Sequence, residues 1–74
     1  MADKYHDVYV QIGLNIMRCR KERRLTQEQL ADRIGYSRQQ VQRVETAVTA
    51  PSLAILLEIS EALQVPLERL MEFK

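Results

Sequence analysis

Residues 26–40 carry the same short device twice, and it restricts how a chain of 74 residues can fold. Thr26 is followed three positions later by Gln29, and Ser37 by Gln40. A hydroxyl residue with a glutamine at that spacing forms a capping box. The hydroxyl accepts the backbone N–H of the third helical residue, whose side chain reaches back to the N–H of the cap. Helices are therefore expected to start at Gln27 and after Ser37. Between them stands Gly35, free to take the left-handed backbone that ends a helix. Only Gly35 and Tyr36 separate the end of one helix at Ile34 from the cap of the next.

The remainder also reads as helix. The chain has two glycines and two prolines, and no alternating β-branched run of strand length. A first helix is expected from Val8 to Arg23, with Ile12, Ile16 and Cys19 as its inner stripe. Leu30, Ala31 and Ile34 face inward from the second helix. Val41, Val44 and Val48 do so from the third, which runs to about Thr46. Residues 47–51 read as a loop. Ser52 caps a fourth helix to about Leu63, with Leu53, Leu56, Ile59 and Leu63 on its core edge. Pro66 suits the first position of a last helix carrying Leu67, Leu70 and Met71. The expected architecture is all-α with five helices: a flexible segment over residues 1–7, then one domain over 8–74.

Two capped helices around a tight glycine turn make a helix-turn-helix unit, here about residues 27–46. In such units the second helix lies in the major groove of DNA and shows its outer face to base edges. At about 100° per residue, Gln39, Gln42, Arg43 and Thr46 lie opposite the valines, and Arg38 projects from the first turn. This face holds no acid and no large apolar residue. Glutamine pairs with adenine, arginine with guanine, and a threonine methyl touches the thymine methyl. A merely solvated face would usually include Glu or Asp. At the helix starts, open backbone N–H groups bind anions. Thr26, Gln27, Tyr36, Ser37 and Gln40 are placed to add phosphate contacts there, beyond the capping that Thr26 and Ser37 perform in any case.

The charge distribution agrees. The formal net charge is only +1. Yet residues 18–43 hold eight basic against three acidic side chains, while residues 44–74 hold two against five. A local basic face attracts phosphate even when the total is near zero.

From Ile12 to Leu70 the sequence resembles the lambda-repressor-like, Cro-type (XRE) family of helix-turn-helix DNA-binding proteins. The matching stretches are Ile-Gly-Leu-Asn-Ile (12–16), Leu-Thr-Gln-Glu-Gln-Leu-Ala (25–31), Ile-Gly-Tyr-Ser (34–37), Val-Gln-Arg-Val-Glu (41–45), Pro-Ser-Leu (51–53) and Ile-Ser-Glu-Ala-Leu-Gln-Val (59–65). The resemblance implies a five-helix domain that acts as a transcriptional regulator. It implies a phosphate contact for Gln27 and base contacts for Arg38, Gln39 and Arg43, with Gln42 weaker. It implies an ion pair between Arg20 and Glu45 that links the first and third helices and turns Glu45 away from the groove. The family often has glycine where this chain has Arg24, Ala47 and Gln64, each at an expected helix end. In the loop after the third helix, Thr49 is the one evident phosphate donor.

Other classes find little support. His6 and Cys19 are single, so neither a disulfide nor a metal cluster is expected, and Cys19 sits on an apolar stripe as core filler. No phosphate-loop glycine pattern is present. No enzyme activity and no cofactor are expected. The start lacks a signal-peptide pattern, and no apolar run approaches the roughly 20 residues of a bilayer span. A cytoplasmic location without membrane contact follows. The expected partners are double-stranded DNA and a second copy of the chain. Repression from a pseudo-palindromic operator is the simplest mechanism, and a contact with RNA polymerase is the route to activation. The candidate dimer contacts are Leu67, Leu70, Met71 and Phe73. The competing reading is an antitoxin that holds a toxin, or a protein-binding adaptor. Leu57, Tyr5, Val8 and Tyr9 are further candidate contacts for such a partner.

Overall fold

A computed structural model describes residues 4–73. Those residues form α1 (His6–Glu22), α2 (Gln27–Ile34), α3 (Arg38–Glu45), α4 (Leu53–Leu63) and α5 (Leu67–Leu70), with no strand among them. Of the segment assigned to 1–7, residues 1–3 lie outside the described residues. His6 and Asp7 already belong to α1, where Asp7 places a negative charge in the first turn.

Both capping boxes are formed. Thr26 Oγ1 accepts from the Gln29 N–H at 3.0 Å, and Gln29 Oε1 accepts from the Thr26 N–H at 2.8 Å. Ser37 Oγ and Gln40 repeat this at 3.1 and 2.8 Å. Ser52 Oγ caps α4 through the Ile55 N–H at 3.1 Å. Pro66 stands at the cap of α5, one position before the first-turn place expected of it, and the helix ends at Leu70.

The first four helices end alike. Arg24, Gly35, Ala47 and Gln64 have φ of 58°, 74°, 60° and 55°. After each, an N–H turns back five residues: Leu25 to Arg20 O, Tyr36 to Ala31 O, Val48 to Arg43 O and Val65 to Ser60 O, at 2.9–3.2 Å. This is the Schellman ending, which satisfies carbonyls the helix leaves open. Three of the four left-handed residues carry a Cβ, at a cost of about 1–2 kcal/mol each. The side chain after the left-handed residue usually folds back onto the helix. Leu25, Tyr36 and Val65 do so against the core. Val48 does not, and is 70% exposed.

That exposure corrects one expectation. Continuing the helical angle past Glu45 would set Val48 on the core side. The left-handed turn at Ala47 breaks that angle and buries Ala47 instead. Leu53 is a second correction: it stands in the first turn of α4 facing solvent, and Ile55 takes its core place.

The core unites Ile12, Ile16 and Cys19 of α1 with Leu30, Ala31 and Ile34 of α2, and Val41 and Val44 of α3. Ile55, Leu56, Ile59 and Leu63 of α4 and Leu70 of α5 complete it. Leu70 is wholly buried, which removes it from the candidate dimer contacts. It closes the monomer because Asn15 of α1 grips the end of α5. Asn15 Nδ2 donates to Leu70 O at 3.0 Å and Glu72 O at 2.8 Å. Its Oδ1 accepts from Gln11 Nε2 at 3.0 Å and Arg18 Nη2 at 3.1 Å. Among the described residues, no helix is long and apolar enough to cross a membrane.

Candidate nucleic-acid interface

The position of α3 is set by α1 in two ways. Gly13 brings the α1 backbone against the end of α3, where an added Cβ would lie 2.8 Å from Val44 O and closer still to Glu45 O. Beside this contact lies a buried ion pair. Arg20 Nε meets Glu45 Oε2 at 2.7 Å and Arg20 Nη2 meets Oε1 at 2.9 Å. Arg20 Nη1 donates to Leu25 O at 2.8 Å. This two-pronged geometry is the strong form of a charge-assisted bond.

With α3 so fixed, Val41 and Val44 point inward and the opposite side faces solvent. Arg38, Gln39, Gln42, Arg43 and Thr46 are all exposed. The Thr46 hydroxyl turns back to Gln42 O at 2.8 Å. The acid of α3, Glu45, is buried rather than presented on this face. The ion pairs formed among the described residues join Arg20 to Glu45, and Arg69 to Glu22 and Glu72. Arg38 and Arg43 take part in none of them.

The flanking residues frame this face. Thr26 and Ser37 sit exposed at the starts of α2 and α3, with their hydroxyl oxygens occupied as caps. Gln40 Oε1 is likewise engaged by its cap, which leaves its amide N–H groups for other partners. Gln27 is half-buried, and its Nε2 donates to Glu45 Oε1 at 3.0 Å. Tyr36 is half-buried and Thr49 exposed. Both line a groove beside α3 together with Gln40, Arg43 and Ser52, where Val44 and Ile55 supply apolar wall.

Sequence reasoning missed several roles. Arg23, grouped with the basic segment, donates to Leu63 O at 2.7 Å and Gln64 O at 3.2 Å, and so caps α4. Asn15 is buried, and its place among Ile12, Ile16 and Cys19 puts a polar group on the core stripe, the signal by which its role could be found. Gly13 carried a weaker signal: a glycine inside a helix, away from any cap. Cys19 is buried with a free thiol. Tyr5, Leu53, Leu57 and Phe73 are about half or more exposed, while Val8 and Met71 are near one third.

The helix-turn-helix family profile matches residues 16–70. Two relatives are described as uncharacterized HTH-type transcriptional regulators. YqaE of Bacillus subtilis is 34% identical over 58 residues, which cover 78% of this chain and 50% of that protein. The chain thus spans about half the length of that relative. The protein y4dJ of Sinorhizobium fredii is 37% identical over 54 residues, covering 73% of this chain and 70% of the other. Among solved structures, the restriction-modification controller protein C.AhdI from Aeromonas hydrophila superposes with a TM-score of 0.87. Its identity is 28%, covering 92% of this chain and 99% of that one. The hypothetical transcription factor NHTF from Neisseria has a TM-score of 0.85 over 97% of this chain and 83% of its own, and at 24% identity it speaks to the fold alone.

Proposed function

This chain belongs to the helix-turn-helix family of DNA-binding transcriptional regulators, and from that premise we propose that it represses transcription by occupying a pseudo-palindromic operator as a homodimer. One observation carries the reading. The outward side of α3 offers Arg38, Gln39, Gln42 and Arg43, while the helix's one acid is buried against Arg20. A face of amide and guanidinium groups without a carboxylate suits base edges and does not repel the phosphates around them.

In this reading Arg38, Gln39 and Arg43 make the base contacts, with Gln42 a weaker one. Thr26, Gln27, Tyr36, Ser37, Gln40 and Thr49 hold phosphates and set the register without reading sequence. One recognition helix makes few base contacts, so a second copy supplies the remaining specificity. Two α3 helices would then enter successive major grooves about 34 Å apart. The dimer surface is assigned to the C-terminal end, with Leu67, Met71 and Phe73. Val8 of α1 lies across a shallow groove from Phe73 and extends that surface. Blocking polymerase access to a promoter is the simplest outcome of such binding.

Selection of bound sequences from random duplex DNA, followed by footprinting, tests this. A two-fold symmetric consensus protected by the protein supports the proposal, and recovery of no consensus refutes it. Leu53 and Leu57, one turn apart and exposed on α4, favour a second reading. There the domain is an antitoxin or adaptor holding a partner polypeptide on α4. A gel shift that requires a second polypeptide would select it.

A further inference from the structure

We infer that Glu45 is a positioning residue for the phosphate contact assigned to Gln27, an inference that rests on the DNA-binding reading above. The Glu45 side chain is wholly buried at the end of α3. Its carboxylate takes three N–H groups: Arg20 Nε at 2.7 Å, Arg20 Nη2 at 2.9 Å and Gln27 Nε2 at 3.0 Å. Arg20 is itself held by Leu25 O, so the carboxylate has a fixed place.

A glutamine amide is two-faced. Its oxygen accepts, and its nitrogen donates two protons. Turning the Gln27 amide over would set its oxygen against a carboxylate oxygen, two acceptors with no proton between them. Glu45 therefore decides which end of the amide occupies this site, and it selects the donor. One N–H of Gln27 serves Glu45. The second remains for an anion beside the first turn of α2, where open backbone N–H groups already favour phosphate.

The bond also joins two tasks. Gln27 is the first residue of α2, and Glu45 is the last of α3. A phosphate gripped at Gln27 is thus tied through one carboxylate to the helix that faces the bases. Arg20 offsets the charge of that carboxylate, so the arrangement orients a donor without placing a net negative charge beside DNA. A carboxylate here acts as the key that gives a neutral side chain its polarity.

The test is a double-mutant cycle on DNA affinity, using Gln27→Ala, Glu45→Gln and the pair, on selected and random duplexes over a range of salt. Gln27→Ala is expected to weaken both duplexes about tenfold, as loss of one hydrogen bond to a charged group. The slope of log K against log salt should not change, because a neutral donor releases no counterion. Glu45→Gln should weaken binding more when Gln27 is present than when it is absent. Fully additive losses overturn the inference.

Glu45→Gln also strips Arg20 of its counter-charge, so a second measurement uses the unaltered protein. Without DNA, one Nε2 proton of Gln27 should resonate downfield and exchange slowly, and the other should shift when DNA is added. Two averaged amide protons typical of an exposed glutamine, in protein that binds DNA, overturn the inference alone. Failure of the unaltered protein to bind any duplex at low salt overturns the DNA-binding reading and this inference with it.

Discussion

Gly13 and Glu45 meet backbone to backbone: a Cβ on Gly13 would lie within 3 Å of both the carbonyl carbon and the carbonyl oxygen of Glu45. The contact is between two helix backbones, not flexible side chains, so it can yield only if α1 or α3 moves. Glycine inside a helix is normally a liability of about 0.5–1 kcal/mol relative to alanine. Here that cost allows α1 to hold α3 at close range. Gly13→Ala should lower stability by about 1–3 kcal/mol, as overpacking does, despite alanine's better helix propensity. Thermal unfolding checks this, and a raised Tm would contradict the close approach.

The ion pair beside that contact should be costly to break from either side. Arg20→Ala leaves the buried Glu45 carboxylate with Gln27 as its remaining donor. Removing one partner of a buried pair typically costs about 3–5 kcal/mol. In a domain of 60–100 residues each kcal/mol shifts Tm by roughly 4–8 °C, so a fall of well over 10 °C is expected. An unchanged Tm would show that the pair does not hold the folded protein.

Asn15 should matter to one end of the chain more than to the rest. Asn15→Ala removes two donors from the carbonyls of Leu70 and Glu72. Leaving a buried acceptor unsatisfied costs about 1–3 kcal/mol. The loss should show as faster amide hydrogen exchange in α5 while α2 and α3 keep their protection. Uniform loss of protection across all helices would contradict a local clamp.

The helix ends offer a stabilising change. Gln64 is exposed and left-handed, with φ 55°. Glycine removes a strain of about 1–2 kcal/mol and adds back about 0.5–1 kcal/mol of chain entropy. Gln64→Gly should therefore raise Tm by a few degrees. A fall would mean the end is not strained. Gly35→Ala supplies the reverse, since a Cβ there meets nothing within 4 Å and its cost is backbone strain alone.

Where sequence and structure agree, the controlling physics is local. The capping boxes at Thr26 and Ser37 need only four consecutive residues, and both are formed. The inner stripe of Ile12, Ile16 and Cys19 needs only helical spacing, and all three are buried. Disagreement begins where a helix stops. Helical spacing carries Val48 through an ending that the left-handed Ala47 diverts. Leu53 fits the helical spacing of Leu56, Ile59 and Leu63 but stands one turn before the buried edge, which Ile55, Ile59 and Leu63 at spacing four describe better. Leu70 looked like surface because its burial depends on Asn15, 55 positions away. The outward face of α3 was legible because the valines fix its opposite. Which of its side chains would touch bases depends on the DNA sequence, beyond the reach of helical spacing.

The role proposed for this face of α3 is to read sequence. Its most direct test is the affinity of Gln39→Ala and Arg43→Ala for the selected operator and for random duplex at one salt concentration. Each variant should lose about 1–3 kcal/mol on the operator and little on random DNA, as bidentate base contacts require. Equal losses on both duplexes would contradict the account and reduce these residues to phosphate contacts.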